Sequence, residues 1–328
     1  MTALKTVGPD YVRGRYLGGS DIAGVLGLQP PGWRTRVQIF ERKHEQAEPD
    51  VLEPKEKRKL YARGHVVEPL VAQMLEVMHG ITGATKGNRY IDASYPYFAA
   101  EIDMEIEFQH VAHLFPDVTG TALDEIVNIE IKTVHPFAAK EWGEEGTDEA
   151  PIHYAAQIQW GLGVTGRRFA ICAALFGADD LVLYPMVRDE ETVQTMRDKA
   201  WAFWNDHVAT GIPPAPTDVD DCKLLWPSDD GSVATAGDEM RAACITLNSL
   251  SQSRISFEKG EEGVQLLIRE HMKGSTSLEF DGVEIATLKE RKTQSIDNAK
   301  LKAEFPDAYK ACHRTGTTRV LLIKEANL

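Results

Sequence analysis

The stretch that most constrains this chain is the octapeptide V-N-I-E-I-K-T-V, residues 127–134. Its alternation of apolar and polar residues predicts a β-strand, because successive side chains of a strand point to opposite faces. Asn128, Glu130 and Lys132 should therefore share one face, and the isoleucines between them should share the other. Such a strand presents a carboxylate and an ammonium group together from a rigid element. An edge strand with a solvated charged face gives the same pattern, so the rest of the chain must decide between the two.

Helical and extended patterns alternate on both sides of this strand. Apolar residues at helical spacing predict helices over residues 35–48, 54–80, 152–164 and 190–209. Alternating or continuous apolar runs predict strands over residues 88–93, 97–108, 120–127, 128–134, 167–176 and 179–187. This order of helices and strands predicts an α/β (α+β) fold, in which a central mixed sheet is flanked by helices.

A proline-rich segment at residues 211–217, G-I-P-P-A-P-T, predicts a linker. We interpret the chain as a core of residues 1–217 followed by a small α+β appendage of residues 218–328. The appendage patterns predict a helical pair over 238–252 and 257–273, a hairpin that turns at Asp281-Gly282, short helices near 297–313 and a final strand T-R-V-L-L-I.

Charge is unevenly distributed along the chain. The net charge is −14, which argues against a protein that coats nucleic acid, since such proteins carry an excess of basic residues. Residues 64–225 hold 10 Lys and Arg against 26 Asp and Glu, whereas residues 1–63 hold 12 against 8. An acidic centre beside a basic N-terminal segment suits a site that holds divalent cations next to a polyanion, and a solvated acidic surface would give the same counts.

The cysteines and the hydropathy pattern exclude other classes. Four cysteines without a C-x-x-C spacing exclude a local zinc or iron–sulfur signature and predict reduced thiols in a cytosolic protein. The N-terminus has no apolar signal region, and no run of about 18 apolar residues occurs. We therefore expect an intracellular protein without a membrane partner.

The segment around residues 9–28 predicts a helix start with the properties of an anion site. Ser20 and Asp21 precede I-A-G-V-L and predict an N-cap, which makes Gly18-Gly19 a tight turn. Backbone amides at a helix start attract anions, and Arg13 lies just upstream. An ordinary cap with surface arginines explains the same residues.

Five short motifs follow one another along the chain. They are R-x6-S-D from Arg13, G-x3-E ending at Glu68, P-Y-F-A-A-E-I-D ending at Asp103, I-E-I-K ending at Lys132 and Y-x2-Q-x-Q from Tyr154. No single motif is specific. Their joint order, over about residues 9–210, resembles the YqaJ-type viral recombinase family, which is close to the phage lambda exonuclease within the PD-(D/E)XK nuclease superfamily. The resemblance implies a restriction-endonuclease-like core.

The resemblance also implies a set of metal ligands. Glu68, Asp103 and Glu130 would be carboxylate ligands of one or two Mg²⁺ ions, or of Mn²⁺ in their place, and the carbonyl of Ile131 would be a further ligand. This donor set suits the chemistry, because Mg²⁺ prefers oxygen ligands and lowers the pKa of a bound water. Asp124, six residues before Glu130, is the rival first acid; we prefer Asp103 because six residues leave little room for a hairpin between two catalytic strands.

Other residues are implied to act on water or phosphate. Lys132 would orient or activate the attacking water, and Gln157 with Tyr154 would support that water or the scissile phosphate. Arg13 and Ser20 match positions that hold a terminal 5′ phosphate in the lambda-like members.

The function implied is a Mg²⁺-dependent 5′-to-3′ double-strand DNA exonuclease of a phage or prophage recombination system. It would act on DNA ends in the cytoplasm of the bacterial host cell and leave 3′ single strands for a single-strand annealing protein. Two alternatives stay open. The same core acts as an endonuclease or single-strand nuclease, which has no need of the Arg13 and Ser20 pocket. Alternatively, the chain is a non-catalytic DNA-binding or assembly protein, which has no physical need for three acids around a lysine.

The resemblance further implies a ring of three subunits around the DNA, which would keep an acidic protein on a polyanion by enclosing it. Basic side chains should then line the channel. The candidates are Arg34, Arg36, Lys55, Lys57, Arg58 and Lys59, with the K-E-R-K segment from Lys289 to Lys292. Solvated helix surfaces explain the same charges.

Overall fold

The computed structural model describes residues 5–7, 12–44, 55–313, 316 and 318–324, and of residues 5 and 55–65 it describes only the backbone. Two compact units make up the chain, Met1–Leu225 and Trp226–Leu328. The boundary expected after residue 217 falls just before the last helix of the first unit. That helix belongs with the first unit because the buried carboxylate of Asp221 accepts a hydrogen bond from the hydroxyl of Thr35.

Helices and strands of the first unit alternate along the chain. The described α-helices are α1 (Gly19–Leu26), α2 (Arg36–His44), α3 (Lys55–His79), α4 (Ile152–Thr165), α5 (Glu190–Phe203) and α6 (Val219–Leu225). The described strands are β1 (Lys5–Thr6), β2 (Thr85–Lys86), β3 (Arg89–Ile91), β4 (Ala99–Glu101), β5 (Met104–Glu107), β6 (Ile126–Val134), β7 (Phe169–Phe176) and β8 (Asp180–Val187). Short 3₁₀ helices cover Arg13–Arg15, Phe108–His110, Ala112–Leu114 and Pro136–Glu141, and a π-helix, Trp204–Val208, continues α5.

A five-stranded mixed sheet forms the centre of this unit. Its strand order is β2-β5-β6-β7-β8, in which β6 and β7 are parallel and the other neighbours are antiparallel. Strands β1, β3 and β4 form a separate antiparallel sheet. The predicted α+β class, with a central mixed sheet flanked by helices, is confirmed. Because β6 pairs on both sides, the edge-strand alternative for residues 127–134 is wrong.

Helices cover both faces of the central sheet. All eight residues of β7 are buried, as expected for a strand that helices enclose on both sides. Cys172 and its alternate neighbours pack against Leu162 of α4, while Ile171 packs in a second cluster with Leu75 of α3. Each fully buried side chain of this size contributes about 1.5–3 kcal/mol. The sheet is thus a rigid support between two helical layers.

Two strand predictions were wrong at their ends. The expected strand over 97–108 is two strands in different sheets, β4 and β5, with a break at Ile102-Asp103. The backbone at Gly87 crosses at this break: a Cβ on Gly87 would lie 2.1 Å from the carbonyl oxygen of Ile102. The strands expected over 120–127 and 128–134 are one strand, β6, because residues 120–125 form a turn that precedes it.

The second unit contains the long helix α7 (Asp238–Met272), a hairpin of β9 (Ser277–Phe280) and β10 (Val283–Thr287), and the short helices α8 (Asn298–Glu304) and α9 (Pro306–Cys312). The expected hairpin turn is confirmed, with Asp281 and Gly282 both at positive φ. The expected helical pair is a single helix, since residues 253–256 contain no glycine or proline to interrupt it. The described residues of T-R-V-L-L-I form no strand.

No helix in the described part of the chain is both long enough and apolar enough to cross a membrane.

Candidate active site

Glu130 and Lys132 of β6 point toward α4, where they meet Gln157. The ammonium of Lys132 lies 2.6 Å from Oε1 of Glu130 and donates to Oε1 of Gln157 at 3.2 Å. The side-chain amide of Gln157 donates in turn to Oε1 of Glu130. Ile129 and Ile131 pack on the opposite face with the cluster that contains Val71. The alternation expected from the sequence therefore holds, and the three polar groups form a closed hydrogen-bonded triangle.

Asp103 reaches this cluster from the break between β4 and β5. Its Oδ2 accepts a hydrogen bond from the backbone N–H of Ile131 at 2.8 Å. The pairing of Met104 with Ile129 in β5 and β6 brings the preceding residue, Asp103, alongside Glu130 and Ile131. In an unbroken strand over residues 97–108, the Asp103 side chain would be held on one face of a sheet. The break beside Gly87 lets its carboxylate reach the backbone of Ile131, so the break contributes to the site.

The electrostatics of the cluster show a surplus of carboxylate. Burial and the nearby charges of Glu130 and Glu68 raise the pKa of Asp103 to about 8, although Lys132 and the Ile131 N–H act in the opposite direction. Burial alone would lower the pKa of Lys132, but the charges of Glu130 and Asp103 outweigh it and hold that pKa above its usual value. The lysine thus stays a cation and cannot by itself neutralise the acids around it.

This donor set fits a divalent cation of the magnesium type. In the described part of the chain, no group of three or more His, Cys, Asp and Glu side chains is arranged so that it could hold a metal ion. Mg²⁺ does not require such a cage, because it keeps several waters and is commonly bound by one or two carboxylates together with substrate phosphates. Asp103 and Glu130 supply two carboxylates whose mutual repulsion a dication would relieve.

Glu68 and Tyr154 border the cluster from opposite sides of the sheet. Glu68 is half-buried on α3, close enough for its charge to act on Asp103. Tyr154 lies on α4, and the ammonium of Lys132 is 5.2 Å from the centre of its ring. The Tyr154 ring also meets Trp142 and Trp33, with ring centres 5.5 and 5.7 Å apart. Burial raises the pKa of the Tyr154 hydroxyl, so that group stays protonated.

A second polar cluster lies at the start of α1. The guanidinium of Arg13 donates to the hydroxyl of Ser20 and lies 3.3 Å from the carboxylate of Asp21. The ammonium of Lys43, on α2, lies 2.9 Å from the same carboxylate and donates to the backbone carbonyl of Arg13 at 3.0 Å. Two cations therefore surround one acid, and the cluster has an excess of positive charge.

The buried charges of this second cluster shift one another's pKa values. Burial alone would raise the pKa of Asp21, which is 2% exposed, but Arg13, Lys43 and the N–H of Gly18 hold it far below its usual value. Burial lowers the pKa of Lys43 to about 8, although the charge of Asp21 acts in the opposite direction. The predicted N-cap was wrong by two residues: α1 begins at Gly19 with Gly18 as its cap, and Asp21 sits in the first turn.

The two clusters touch through a glycine. A Cβ placed on Gly19 would lie 2.9 Å from Cγ of Gln157, so the first turn of α1 packs directly on the residue that binds Glu130 and Lys132. Any larger residue at this position would push the helix start away from α4. The surplus of negative charge around Glu130 and the surplus of positive charge around Arg13 are therefore parts of one continuous site.

A comparison with known protein families finds a match for this part of the chain. Residues 11–168 match the model of the YqaJ-like viral recombinase domain, and this span contains both clusters. We call residues 11–168 the YqaJ-like domain after this similarity. A curated relative, the uncharacterized protein YqaJ of Bacillus subtilis (strain 168), is 26% identical over 324 residues, which is 96% of this chain and 93% of the relative.

Two solved structures with some similarity to this chain are named exonucleases. The alkaline exonuclease LHK-Exo from Laribacter hongkongensis is 15% identical, with a TM-score of 0.42, over 61% of this chain and 91% of that one. A phage-related exonuclease from Haemophilus somnus 129PT is 12% identical, with a TM-score of 0.40, over 60% of this chain and 96% of that one.

The structure does not bring every predicted residue to this site. Asp124 is exposed in the turn that precedes β6, and about 13 Å of extended strand from Ile126 to Glu130 follows that turn. The guanidinium of Arg36 packs over the ring of Phe203. The side chains of Lys55, Lys57, Arg58 and Lys59 lie outside the described residues, and the K-E-R-K segment is exposed in the second unit.

Sequence reasoning missed two members of the YqaJ-like domain's polar clusters. In the sequence, Lys43 is only one residue of the helix expected over 35–48, and Asp21 is only part of the predicted N-cap. A signal for Lys43 existed: it follows Phe40 by three residues and Val37 by six, which places it on the buried stripe of α2. A lysine on an apolar stripe needs a partner, and Asp21 is that partner.

Proposed function

We propose that the YqaJ-like domain is a Mg²⁺-dependent deoxyribonuclease that degrades double-stranded DNA from its ends in the 5′-to-3′ direction. The observation that carries this proposal is the joining of Asp103, Glu130, Lys132 and Gln157 in one cluster that contacts a positively charged helix start. Hydrolysis would leave 3′ single strands for a single-strand annealing protein, in the cytoplasm of a bacterial host.

The metal would be held by oxygen atoms around β6. Asp103, Glu130 and the carbonyl of Ile131 are the proposed ligands, with Glu68 as a further carboxylate from α3. When bound, Mg²⁺ or Mn²⁺ polarises the phosphodiester and lowers the pKa of a water. The raised pKa of Asp103 supports this assignment, because a carboxyl group that holds a proton owing to burial and to the charge of Glu130 can exchange that proton for a cation.

Lys132 would act as a cation and hydrogen-bond donor. Its raised pKa supports an orienting role toward the attacking water and the scissile phosphate, since a protonated lysine cannot remove a proton from water. Gln157 fixes both Glu130 and Lys132 and would act as a positioning residue. Tyr154 lies against Lys132 and would limit the directions in which that ammonium can point.

Arg13 and Ser20 would hold the terminal 5′ phosphate. The excess positive charge of Arg13 and Lys43 over Asp21, and the backbone amides at the start of α1, both favour a dianion there. Contact between Gly19 and Gln157 would set the distance between the bound end and the reacting phosphodiester. An end-binding pocket of this kind distinguishes an exonuclease from an endonuclease on the same core.

One assay tests the activity and its competitors. Purified protein is incubated with a linear duplex that carries one labelled 5′ phosphate, with Mg²⁺ and with EDTA. Release of labelled mononucleotide in Mg²⁺ alone is the expected result. Cleavage of a closed circular duplex would favour an endonuclease, preference for a single strand would favour a single-strand nuclease, and DNA binding without cleavage would favour a non-catalytic protein.

The proposed assembly is a ring of three subunits that encloses the DNA. A ring would retain a chain of net charge −14 on a polyanion without broad electrostatic attraction. Light scattering gives the subunit number, and digestion in the presence of heparin measures how far one bound enzyme travels. A trimer that digests long tracts is expected; a monomer that releases DNA after a few nucleotides would refute the ring.

A further inference from the structure

A cleft of about 630 Å³ opens on the first unit beside the second polar cluster. It is bounded by Arg15, by Lys43 and His44 at the end of α2, and by Trp204, Val208 and Ala209 of the π-helix region. Cavities of about 300–1,000 Å³ are the usual size for small-ligand sites. Neither Asp103, Glu130 nor Lys132 lines this cleft, so it lies apart from the cluster around β6 and shares Lys43 with the cluster at the start of α1.

The lining of the cleft includes an aromatic side chain, Trp204, that can contact a flat ring. Trp204 stacks in parallel on Tyr97, with ring centres 4.8 Å apart and an angle of 4° between the planes. Tyr97 in turn stacks on Trp201, 5.5 Å away. Because Trp204 also lines the cleft, its indole is available for contact with a heteroaromatic ring that enters. Trp204 begins a π-helix, a local geometry that occurs frequently at functional sites.

The lining of the cleft also carries positive charge. Arg15 is exposed, and no acidic side chain of the described residues pairs with it. Lys43 contributes a second cation at greater depth, although Asp21 balances part of its charge. None of the described residues that line the cleft is acidic. A guanidinium at the rim and a stacked indole at the wall together match a ligand that joins an anion to a flat ring.

We propose that this cleft binds a nucleotide unit, with the base on Trp204 and the phosphate on Arg15. The proposal goes beyond the cleavage reaction and requires no hydrolysis. The unit is either a free 5′-mononucleotide or one nucleotide of a DNA single strand, since the recognised groups are the same. Lys43 lines the cleft and pairs with Asp21, and Asp21 also pairs with Arg13. The cleft therefore adjoins the proposed phosphate pocket.

Direct binding in EDTA tests this proposal independently of cleavage. Isothermal calorimetry on the full-length Lys132→Ala protein uses two probes, 5′-dAMP and an eight-nucleotide oligothymidylate with a 5′ hydroxyl. Binding of either probe is expected, and Arg15→Ala should weaken it by about tenfold or more, the usual effect of losing one charge-assisted hydrogen bond. dAMP binding indicates a free nucleotide, and oligothymidylate binding alone indicates a strand.

Lys199→Ala is the matched control, because Lys199 is an exposed cation on α5 that does not line the cleft. Affinity should be unchanged in that variant. The proposal is overturned if neither probe binds, or if Arg15→Ala and Lys199→Ala weaken binding equally, which would mean general charge attraction. Trp204→Leu should also weaken binding; since that change can disturb the fold, Arg15→Ala decides. A protein that cleaves no DNA at all would refute the nuclease proposal and leave this one standing.

Discussion

The two polar clusters of the YqaJ-like domain are built from the same kinds of groups and have opposite charge balance. Around β6, Asp103 and Glu130 face one cation, Lys132, and the site favours an added positive charge. At the start of α1, Arg13 and Lys43 face one acid, Asp21, and the site favours an added negative charge. Gly19 against Gln157 joins them. A cation site next to an anion site is the arrangement that a metal ion and a phosphate need together.

The largest effects should follow from removing the groups around β6. Lys132→Ala, Glu130→Ala and Asp103→Ala should each lower the cleavage rate by about 10²-fold or more, because the charge that develops on the phosphate loses its compensation. The measurement is the initial rate on a linear duplex, with far-UV circular dichroism to confirm that the variants fold.

Asp124→Ala is the control for these variants, since Asp124 is an exposed acid outside the cluster. Its rate should equal that of the unaltered protein. Should Asp124→Ala lose activity while Asp103→Ala keeps it, the assignment of the first acid would be wrong.

Metal removal should change the thermal stability through the cluster around β6 and not through the cluster at the start of α1. We expect Mg²⁺ to raise the midpoint of thermal unfolding of the unaltered protein and EDTA to reverse this effect; at a concentration about 100 times Kd, linkage adds about 2.7 kcal/mol to the free energy of unfolding. Asp103→Ala should abolish the Mg²⁺ effect, and Arg13→Ala should retain it. An equal Mg²⁺ effect in all three proteins would show that the ion binds elsewhere.

Removing the Asp21 carboxylate of the second cluster should lower the free energy of unfolding more than removing an exposed carboxylate. Asp21→Asn leaves the buried ammonium of Lys43 without its counter-charge, and breaking a buried pair in this way costs about 3–5 kcal/mol. Urea unfolding measures the change, with Asp124→Asn as an exposed control. A loss below about 1 kcal/mol would mean that the cluster is solvated in the folded protein.

The Asp21 carboxylate also makes the stability of the protein depend on pH. The pKa of Asp21 is lower in the folded than in the unfolded chain, so its contribution to stability is present above the unfolded pKa of about 3.9 and is lost as pH falls below it. Between about pH 5 and pH 3, the unaltered protein should therefore lose more stability than Asp21→Asn. Parallel stability curves for the two proteins would contradict the low folded pKa.

The smallest effect concerns the end of the DNA strand. Ends with a 5′ phosphate should be degraded faster than ends with a 5′ hydroxyl, by about tenfold if one charge-assisted contact is lost. The double variant Arg13→Ala/Ser20→Ala should narrow this difference without abolishing cleavage. Equal rates on both ends in the unaltered protein would remove the support for an end-binding pocket.

Helices and strands with a strong pattern in the local sequence were predicted correctly. Helix α4, expected over 152–164, and strands β7 and β8 have strong and continuous apolar patterns, and the alternation in 127–134 placed Glu130 and Lys132 on one face. The resemblance then selected Asp103, which the structure places beside Ile131. These predictions needed no knowledge of distant contacts.

What the sequence could not predict depends on residues far apart in the chain. The break at Ile102-Asp103 lies where the backbone of Gly87 comes close, and the pairing of Asp21 with Lys43 joins residues on two helices. The cleft beside Arg15 needs Trp204, which is distant in sequence and lies in a π-helix that periodicity treats as a simple continuation of α5. Local pattern carries no information on such contacts.

Cys172 is the neighbour of Glu130 across the parallel pair of β6 and β7, and its position has a practical consequence. Its thiol is fully buried, and burial together with the nearby acids raises its pKa to about 12, so almost no thiolate exists at neutral pH. Maleimide reagents react with thiolate, so they should leave Cys172 intact and modify the exposed Cys312 together with the half-buried Cys222 and Cys244. Fluorophores attached at these positions would label the protein without an engineered cysteine and without touching the chemistry at β6.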